Sequence, residues 1–288
     1  MTAGIYAARK KIDSLILTEN VGGQVTFSGD IENYLGFQFI TGIELTEKFR
    51  EHVEKFSLEL REGIRVDRVS GKGNSFEVVT SEGDIYYSQT VIIATGRVPR
   101  RLGVKGEEEF RNRGVTYCAT CDAPLFAGKD VAVVGGGNAG LEAVIQLTRI
   151  ARKIYLIERE DHLPGDPVLV EKVEKDKRVR ILFRSVVEEI EGDKFVKGIR
   201  VKVEGEETYI PVEGVFVEIG SLPASGLVEE VKKNREGEIV VNCKCETNIP
   251  GMFAAGDVTN VFAKQIIVAS GEGAKAALAV TDYLNRLK

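Results

Sequence analysis

An α/β fold of two domains, each a parallel sheet carrying an inserted β-meander, is predicted for this chain by three observations. An apolar strand, a cluster of glycines and a helical pattern follow one another at Asp130-Val-Ala-Val-Val134, Gly135-Gly-Gly137-Asn-Ala-Gly140 and LEAVIQLTRIA. A run of short strands and turns occurs twice, and each copy closes on an apolar strand that stops at a glycine, Thr90-Val-Ile-Ile-Ala-Thr-Gly96 and Gly214-Val-Phe-Val-Glu-Ile-Gly220. The 288 residues suffice for about two domains at roughly 100–200 residues each.

Taken in order, Thr2 to Arg9 reads as a helix and Asp13-Ser-Leu-Ile-Leu-Thr-Glu19 as a strand ending in an acid. These form the second half of a Rossmann-like dinucleotide-binding unit, so the chain is expected to start inside a motif. Thr41-Gly-Ile-Glu44 is a capping box. It opens a packing helix on which Leu45, Phe49, Val53 and Phe56 recur at helical spacing and His52 faces outward. SFEVVT and DIYYS follow as strands, punctuated by the turns GKGN and SEGD. The central unit runs from Asp130 through the strand Lys153-Ile-Tyr-Leu-Ile157 to Glu158, the about 30 residues of one βαβ dinucleotide unit. Gly135 permits the tight turn, Gly137 lets the backbone approach a pyrophosphate, and Gly140 lets helix and strand pack. Asn138 and Ala139 lie at the helix N-terminus, whose free N–H groups and positive dipole end attract phosphate. Glu158 is placed to accept from a ribose 2′-OH, with Arg159 beside it.

Composition excludes several function classes. Hydrophobic residues make up 43% and charged residues 29%, and 44 acidic side chains against 39 basic ones give a net charge of −5. That balance speaks against nucleic acid or an anionic membrane as partner, and no apolar run approaches the ~18–20 residues of a membrane span. The N-terminus places basic residues after a short small-apolar stretch, the reverse of a secretory signal, so a cytoplasmic protein is expected. Two histidines are too few for a multi-histidine metal site, and no metal is expected.

Four cysteines do not make a disulfide scaffold, but their spacing carries chemistry. Cys118-Ala-Thr-Cys121-Asp122 can close a small disulfide ring and reopen it by exchange. If the pair begins a helix, nearby N–H groups favour the thiolate, and Asp122 can carry a proton to or from the leaving thiol. The alternative is a four-thiolate zinc site completed by Cys243 and Cys245. Both lie on a strand-like stretch, where buried inert cysteines are the expected reading. A CxxC ahead of a nucleotide-binding unit points to electron transfer between a nicotinamide and a disulfide.

Across essentially its whole length the sequence resembles the low-molecular-weight thioredoxin reductase family, including the thioredoxin-reductase-like part of the alkyl hydroperoxide reductase flavoprotein. The residues that carry the resemblance are Gly22-Gly23-Gln24, Asp30-Ile-Glu-Asn33-Tyr34, Ala94-Thr95-Gly96, the CxxC-Asp, GGGNAG, Thr247-Asn-Ile-Pro-Gly251-Met-Phe-Ala-Ala-Gly256-Asp257 and Lys264-Gln265-Ile266. The resemblance implies an FAD domain at residues 1–113 and 247–288 and a nicotinamide domain at 114–246 carrying the cysteines, with hinges near 111–116 and 245–249 about which one domain rotates. It implies that Glu19 holds the FAD ribose and Asp257 the ribityl hydroxyls, while Gln24, Asn33, Gln265 and Ile266 contact the flavin or its edge. Gly22, Gly23, Thr95, Gly96, Gly220, Gly256 and Lys264 complete the implied cofactor sites; the alternative for Asn33 and Gln24 is simply to tie down a loop.

Two departures stand out. The family's opening strand and FAD-phosphate glycine loop, roughly fifteen residues, would precede Met1, from a misassigned start or a chain that does not hold FAD normally. The arginine pair of the NADPH-using reductases is replaced by Ile157-Glu158-Arg159-Glu160-Asp161, which favours NADH. The implied activity is transfer of electrons from NAD(P)H through FAD to Cys118–Cys121, then to a thioredoxin- or glutaredoxin-like protein. The alternatives are the flavoprotein reductase of a peroxiredoxin system and a non-catalytic, FAD-less fragment. A homodimer is expected from the resemblance alone.

Overall fold

The computed structural model describes residues 1–287 except Ser28, Gly29 and Gly73, the last falling in the predicted GKGN turn. The chain divides into two compact units, Met1–Val98 with Leu222–Lys288, and Pro99–Ser221.

The first unit begins with α1 (Thr2–Arg9) and β1 (Leu15–Thr18), as the sequence predicts, followed by a 3₁₀ turn (Gly23–Phe27), β2 (Asp30–Ile31) and β3 (Ile40–Thr41). The capping box forms: Thr41 Oγ1 accepts from the Glu44 N–H at 3.2 Å and the Glu44 carboxylate accepts from the Thr41 N–H at 3.0 Å. It starts α2 (Gly42–Glu54), which buries Leu45 and Val53 and leaves His52 exposed. After β4 (Glu59–Glu62) comes the antiparallel meander β5 (Val66–Lys72), β6 (Ser75–Thr80) and β7 (Ile85–Ser88). Then β8 (Val91–Ile93) and the crossover strand β9 (Arg97–Pro99) lead out of the unit.

The second unit places β10 (Val115–Thr116), the short helix α3 (Ala119–Asp122), β11 (Asp130–Val134), α4 (Asn138–Leu147), β12 (Lys153–Ile157), α5 (Pro167–Glu174) and β13 (Val179–Leu182). The meander β14 (Ser185–Gly192), β15 (Val196–Val203), β16 (Glu206–Pro211) follows, then β17 (Gly214–Val217). Five strands pair in parallel in the order β10-β17-β11-β12-β13. Strand periodicity sorts their side chains onto two buried faces. Val131, Val133, Ile154, Leu156 and Phe216 pack with Leu141, Val144 and Leu147 of α4. Ala132, Val134, Tyr155, Ile157, Val215 and Val217 pack with Val187, Ile199, Val201 and Ile210 of the meander. Both faces being covered, these strands read as continuous apolar runs.

The chain returns through β18 (Ser221–Pro223), which pairs with β9, and ends with β19 (Met252–Ala254) and α6 (Ile266–Leu287). Small residues let α6 meet α1: a Cβ on Gly273 would lie 3.2 Å from the Ala3 nitrogen. The parallel strands of this unit form two separate pairs, β1–β4 and β8–β19. This differs from the single parallel sheet expected, because no described strand hydrogen-bonds across the two pairs.

The compact units meet at 98/99 and 221/222, beside the expected domain limits at 113/114 and 246/247. Leu102, Val104 and Phe110 pack in the second unit's core with Val115 and Ile190. Val228, Val231 and Ile239 pack in the first unit's core with Phe76 and Met252. Burial of these side chains goes with the limits of the compact units at 98/99 and 221/222. Of the expected hinge segments, 111–116 contains β10 and 245–249 contains the fully buried Cys245.

Candidate active site

The second unit holds the redox pair. β10 ends at Thr116, and its side chain organises the turn that follows: Thr116 Oγ1 accepts from the Cys118 N–H at 3.2 Å and donates to Asp122 Oδ2. Cys118 caps α3, its Sγ accepting from the Cys121 N–H at 3.0 Å. Cys118 and Cys121 are joined as a disulfide with a Cα–Cα distance of 5.4 Å. The two sulfur-bearing residues differ in access, Cys118 being 8% exposed and Cys121 open to solvent. Thr120 Oγ1 ties the turn to Gln146 of α4 at 3.2 Å, and Tyr117 donates to the buried Glu107 at 2.8 Å. Burial and the Glu107 carboxylate raise Tyr117 above the ordinary phenol range, so it is a fixed neutral donor. The sequence-predicted trio Cys118, Cys121 and Asp122 is thus brought together.

Two strands away along the sheet, the glycine loop has the form its spacing predicts. Gly135 has φ +110°, and a Cβ there would lie 2.4 Å from the Glu218 carbonyl oxygen. A Cβ on Gly140 would lie 1.8 Å from the Gly135 oxygen, whereas one on Gly137 would meet nothing within 4 Å. Two glycines are therefore demanded by the protein itself, and Gly137 leaves room for a ligand. Glu158, 7% exposed, is already engaged: Oε2 accepts from the Gly136 N–H at 2.6 Å and Oε1 from the Glu160 N–H at 2.9 Å. Asn138 Oδ1 accepts from the Asp166 N–H at 2.7 Å, so its side chain fastens a neighbouring loop, while Ala139 is exposed at the helix start. Arg159 pairs with Glu160 at 3.1 Å on the surface. Gly220, at φ +91°, accepts from the Arg100 N–H at 2.9 Å.

The remaining predicted cofactor residues lie in the first unit, in a different setting. Gly256 sits at φ +75°, and Oδ1 of the following Asp257 is buried without a hydrogen-bond partner. Burial raises the Asp257 carboxyl, and Lys264 and Arg97 draw it down. Lys264 Nζ donates to the Thr259 oxygen at 2.6 Å and pairs with Glu238 at 2.9 Å, and Glu238 also pairs with Arg97 at 3.0 Å. Asn33 Nδ2 donates to Gln265 Oε1 at 3.1 Å, joining two predicted residues far apart in sequence. Ile266 opens α6 and packs on the cluster of Ile31, Ile40 and Leu45. Gly22 has φ +97° and faces Thr46 closely, while Gly23 faces open space. Gln24 is half-buried in the 3₁₀ turn, and Glu19 is exposed. Thr95 and Gly96 hold Ala224, through Thr95 Oγ1 to its oxygen at 2.6 Å and its N–H to the Gly96 oxygen at 2.9 Å. A buried acceptor without a donor, beside close-approach glycines, fits a hydroxyl-bearing dinucleotide.

Three residues were not singled out in the sequence: Glu218, Glu238 and Arg97. Glu218 had a signal, since it follows an apolar strand as Glu158 does. Glu238 and Arg97 are paired only by the fold. Cys243 and Cys245 differ from expectation. They sit on an irregular turn rather than a strand, and Cys243 is exposed because that turn lies at the surface. Cys245 is buried at φ +63°, donates to Glu272 at 3.4 Å, and is pushed up to about 12 by burial and that carboxylate, which makes it inert. Among the described residues no group of three or more His, Cys, Asp or Glu could hold a metal ion, and no helix is long and apolar enough to cross a membrane.

A family profile described as pyridine nucleotide-disulphide oxidoreductase matches residues 1–273. The chain is 41% identical over 293 residues to the F component of alkyl hydroperoxide reductase from Escherichia coli strain K12, a match covering 99% of this chain and 56% of that protein. It thus spans little more than half of that relative's length. Among solved structures it is similar to the thioredoxin reductase of Lactococcus lactis, with a TM-score of 0.90, 33% identity and coverage of 99% of this chain and 95% of that one. The thioredoxin reductase of T. acidophilum gives a TM-score of 0.87 at 36% identity, covering 100% and 95%.

Proposed function

This chain belongs to the pyridine nucleotide-disulphide oxidoreductase family, and from that premise we propose that it is a flavin-dependent disulfide reductase. Electrons pass from NAD(P)H through FAD to the Cys118–Cys121 disulfide and on to a protein disulfide. The observation that carries this reading is the asymmetric disulfide turn at the carboxyl end of a parallel sheet, beside a glycine loop with open space at Gly137.

Each residue then has a task. Bound in the first unit, FAD supplies the chemistry that converts a two-electron hydride into electrons for a disulfide. Asp257 would hold its ribityl hydroxyls and Glu19 its ribose, with Gly22, Gly23 and Gly256 allowing close backbone approach. Gln24, Asn33, Lys264, Gln265 and Ile266 would border the flavin, and Thr95 and Gly96 would fix the strand end beside it. In the second unit the α4 N-terminus at Asn138 would take the pyrophosphate of the nicotinamide. Cys121 is the sulfur a partner can reach, so it makes the mixed disulfide. Cys118 receives the electrons, its thiolate stabilised by the Cys121 N–H. Asp122, held by Thr116, serves the leaving thiol as proton carrier.

NADH is the favoured donor. A 2′-phosphate ~5 Å from Glu158 would be repelled by about 3 kcal/mol per unit charge at an effective dielectric of ~20. Arg159 is occupied by Glu160 and does little to offset this. The partner is a thioredoxin- or glutaredoxin-like protein. The second reading, delivery to a peroxiredoxin system, is favoured by the identity to the alkyl hydroperoxide reductase component. A cytoplasmic homodimer accompanies both readings.

The test is an anaerobic visible titration of the protein mixed with FAD. The proposal expects an oxidised-flavin band bleached by NADH at lower concentration than by NADPH. Protein that stays colourless with FAD added overturns the flavin reading, and bleaching by NADPH at the lower concentration overturns the donor choice.

A further inference from the structure

Successive side chains at the end of β10 point to opposite faces of the sheet. Thr116 serves the cysteine turn, where it holds Asp122 and the Cys118 N–H. Tyr117 shares the other face with Val115 and packs against the core formed with the meander. Its hydroxyl ends on Glu107, which is only 3% exposed, and donates to Oε1 at 2.8 Å. Oε1 also accepts from the Leu102 N–H at 2.8 Å, and Oε2 accepts from the Gly103 N–H at 2.7 Å. Burying a carboxylate is costly unless donors meet it, and this one has three. Its backbone is fixed as well. The Ile190 N–H of β14 donates to the Lys105 oxygen at 2.9 Å. A Cβ on Gly106, at φ +85°, would lie 2.0 Å from the Ile190 oxygen. Glu107 is thus a rigid post on β14, and the side chain it holds belongs to the residue before Cys118.

We propose that Glu107 is a positioning residue of the redox pair. Through Tyr117 it ties the entrance of the turn to β14, keeping Cys118 inside and leaving Cys121 as the sulfur an attacking thiol reaches. This deepens the reading above and rests on its choice of redox pair, but not on the flavin. Thr120 fastens the far side of the turn to Gln146 of α4, and Glu107 fastens the near side. Cys118 is 8% exposed, and its Sγ lies against the Cys121 N–H. That placement survives opening of the disulfide only while residue 117 stays put, because the Cys118 side chain hangs from the backbone that Tyr117 anchors. The anchor also raises the effective concentration of each thiol toward the other, which favours the closed pair. In exchange with glutathione the S–S bond breaks. Two glutathione thiols supply two electrons and become glutathione disulfide, and their two protons pass to the sulfurs of Cys118 and Cys121. Without the anchor Cys118 swings outward, both sulfurs meet external thiols, and the open dithiol is favoured over the disulfide.

The test uses the full chain in glutathione redox buffers at neutral pH, with mass mapping of alkylated cysteines. Two quantities are read: the Cys121:Cys118 labelling ratio of the reduced pair under limiting iodoacetamide, and the dithiol–disulfide equilibrium. Tyr117→Phe removes one oxygen and leaves Glu107 its two backbone donors. It should lower the labelling ratio about tenfold, the weight of one hydrogen bond to a charged acceptor. The disulfide should become about tenfold easier to reduce, ~30 mV more oxidising. Glu107→Gln sets an amide against the Leu102 and Gly103 N–H groups and should move both quantities in the same direction. Tyr87→Phe, at an exposed tyrosine of β7, should move neither. An unchanged labelling ratio in Tyr117→Phe overturns the proposal, whether or not Glu107→Gln folds. A wild-type disulfide that glutathione cannot open overturns the reductase reading and this proposal with it. Failure of NAD(P)H to reduce a pair that glutathione does open overturns the reductase reading alone.

Discussion

The two units, each proposed to hold a dinucleotide, are built in opposite ways. In the second unit the loop acid is consumed by the protein: Glu158 accepts from Gly136 and Glu160, and Asn138 is tied to Asp166. In the first unit a different acid is left wanting, with Asp257 Oδ1 buried and unpartnered beside a network of Lys264, Glu238 and Arg97. A site whose polar groups satisfy one another is already shaped when its ligand arrives, and its ligand can leave at little cost. A site with an orphaned buried acceptor is stabilised by the ligand itself. The first pattern suits a nicotinamide that comes and goes, and the second suits a flavin that stays.

The comparison can be broken most forcefully at the glycines. Gly140→Ala drives a Cβ to 1.8 Å from the Gly135 oxygen, and should lower stability by roughly 2–4 kcal/mol in thermal unfolding through overpacking against backbone. Gly137→Ala meets no atom within 4 Å. It should leave unfolding unchanged while weakening nicotinamide binding measured by fluorescence quenching. Equal destabilisation by both would show that the loop is shaped for packing alone.

The acids give a smaller effect with opposite signs. Glu158→Ala strips the partner from the buried Gly136 N–H and should cost about 1–3 kcal/mol in the ligand-free protein. Asp257→Asn replaces a carboxylate whose Oδ1 is buried without a hydrogen-bond partner and should leave the ligand-free protein as stable or more so, while weakening FAD binding about tenfold or more. Melting curves with and without FAD check both. Destabilisation of the ligand-free protein by Asp257→Asn would erase the distinction between the units.

Most of the second unit was legible because its signals are local. The glycine spacing, the period-2 apolar strands and the CxxC each act within a few residues, and β11 and β12 begin and end where the pattern places them. The capping box at Thr41 was legible for the same reason. What was not legible depends on distant packing. The unit boundaries follow Phe110 and Val231 into their cores, and no local pattern says which core an apolar side chain will join. Glu238 and Arg97 meet across 141 positions. Cys245 has a strand-like sequence around it, yet its backbone is left-handed, held by Glu272 and the turn at Asn242. Glu218 could have been found from the acid-after-strand pattern that found Glu158.

The central claim is that electrons from a reduced nicotinamide arrive at Cys118 and Cys121. The direct measurement is an anaerobic thiol count, with mass mapping of alkylated cysteines, on FAD-loaded protein before and after one equivalent of NADH or NADPH. The account predicts two new thiols per chain, both in the peptide carrying Cys118 and Cys121, with Cys243 and Cys245 unchanged. A flavin that bleaches while the Cys118–Cys121 disulfide stays closed would contradict it.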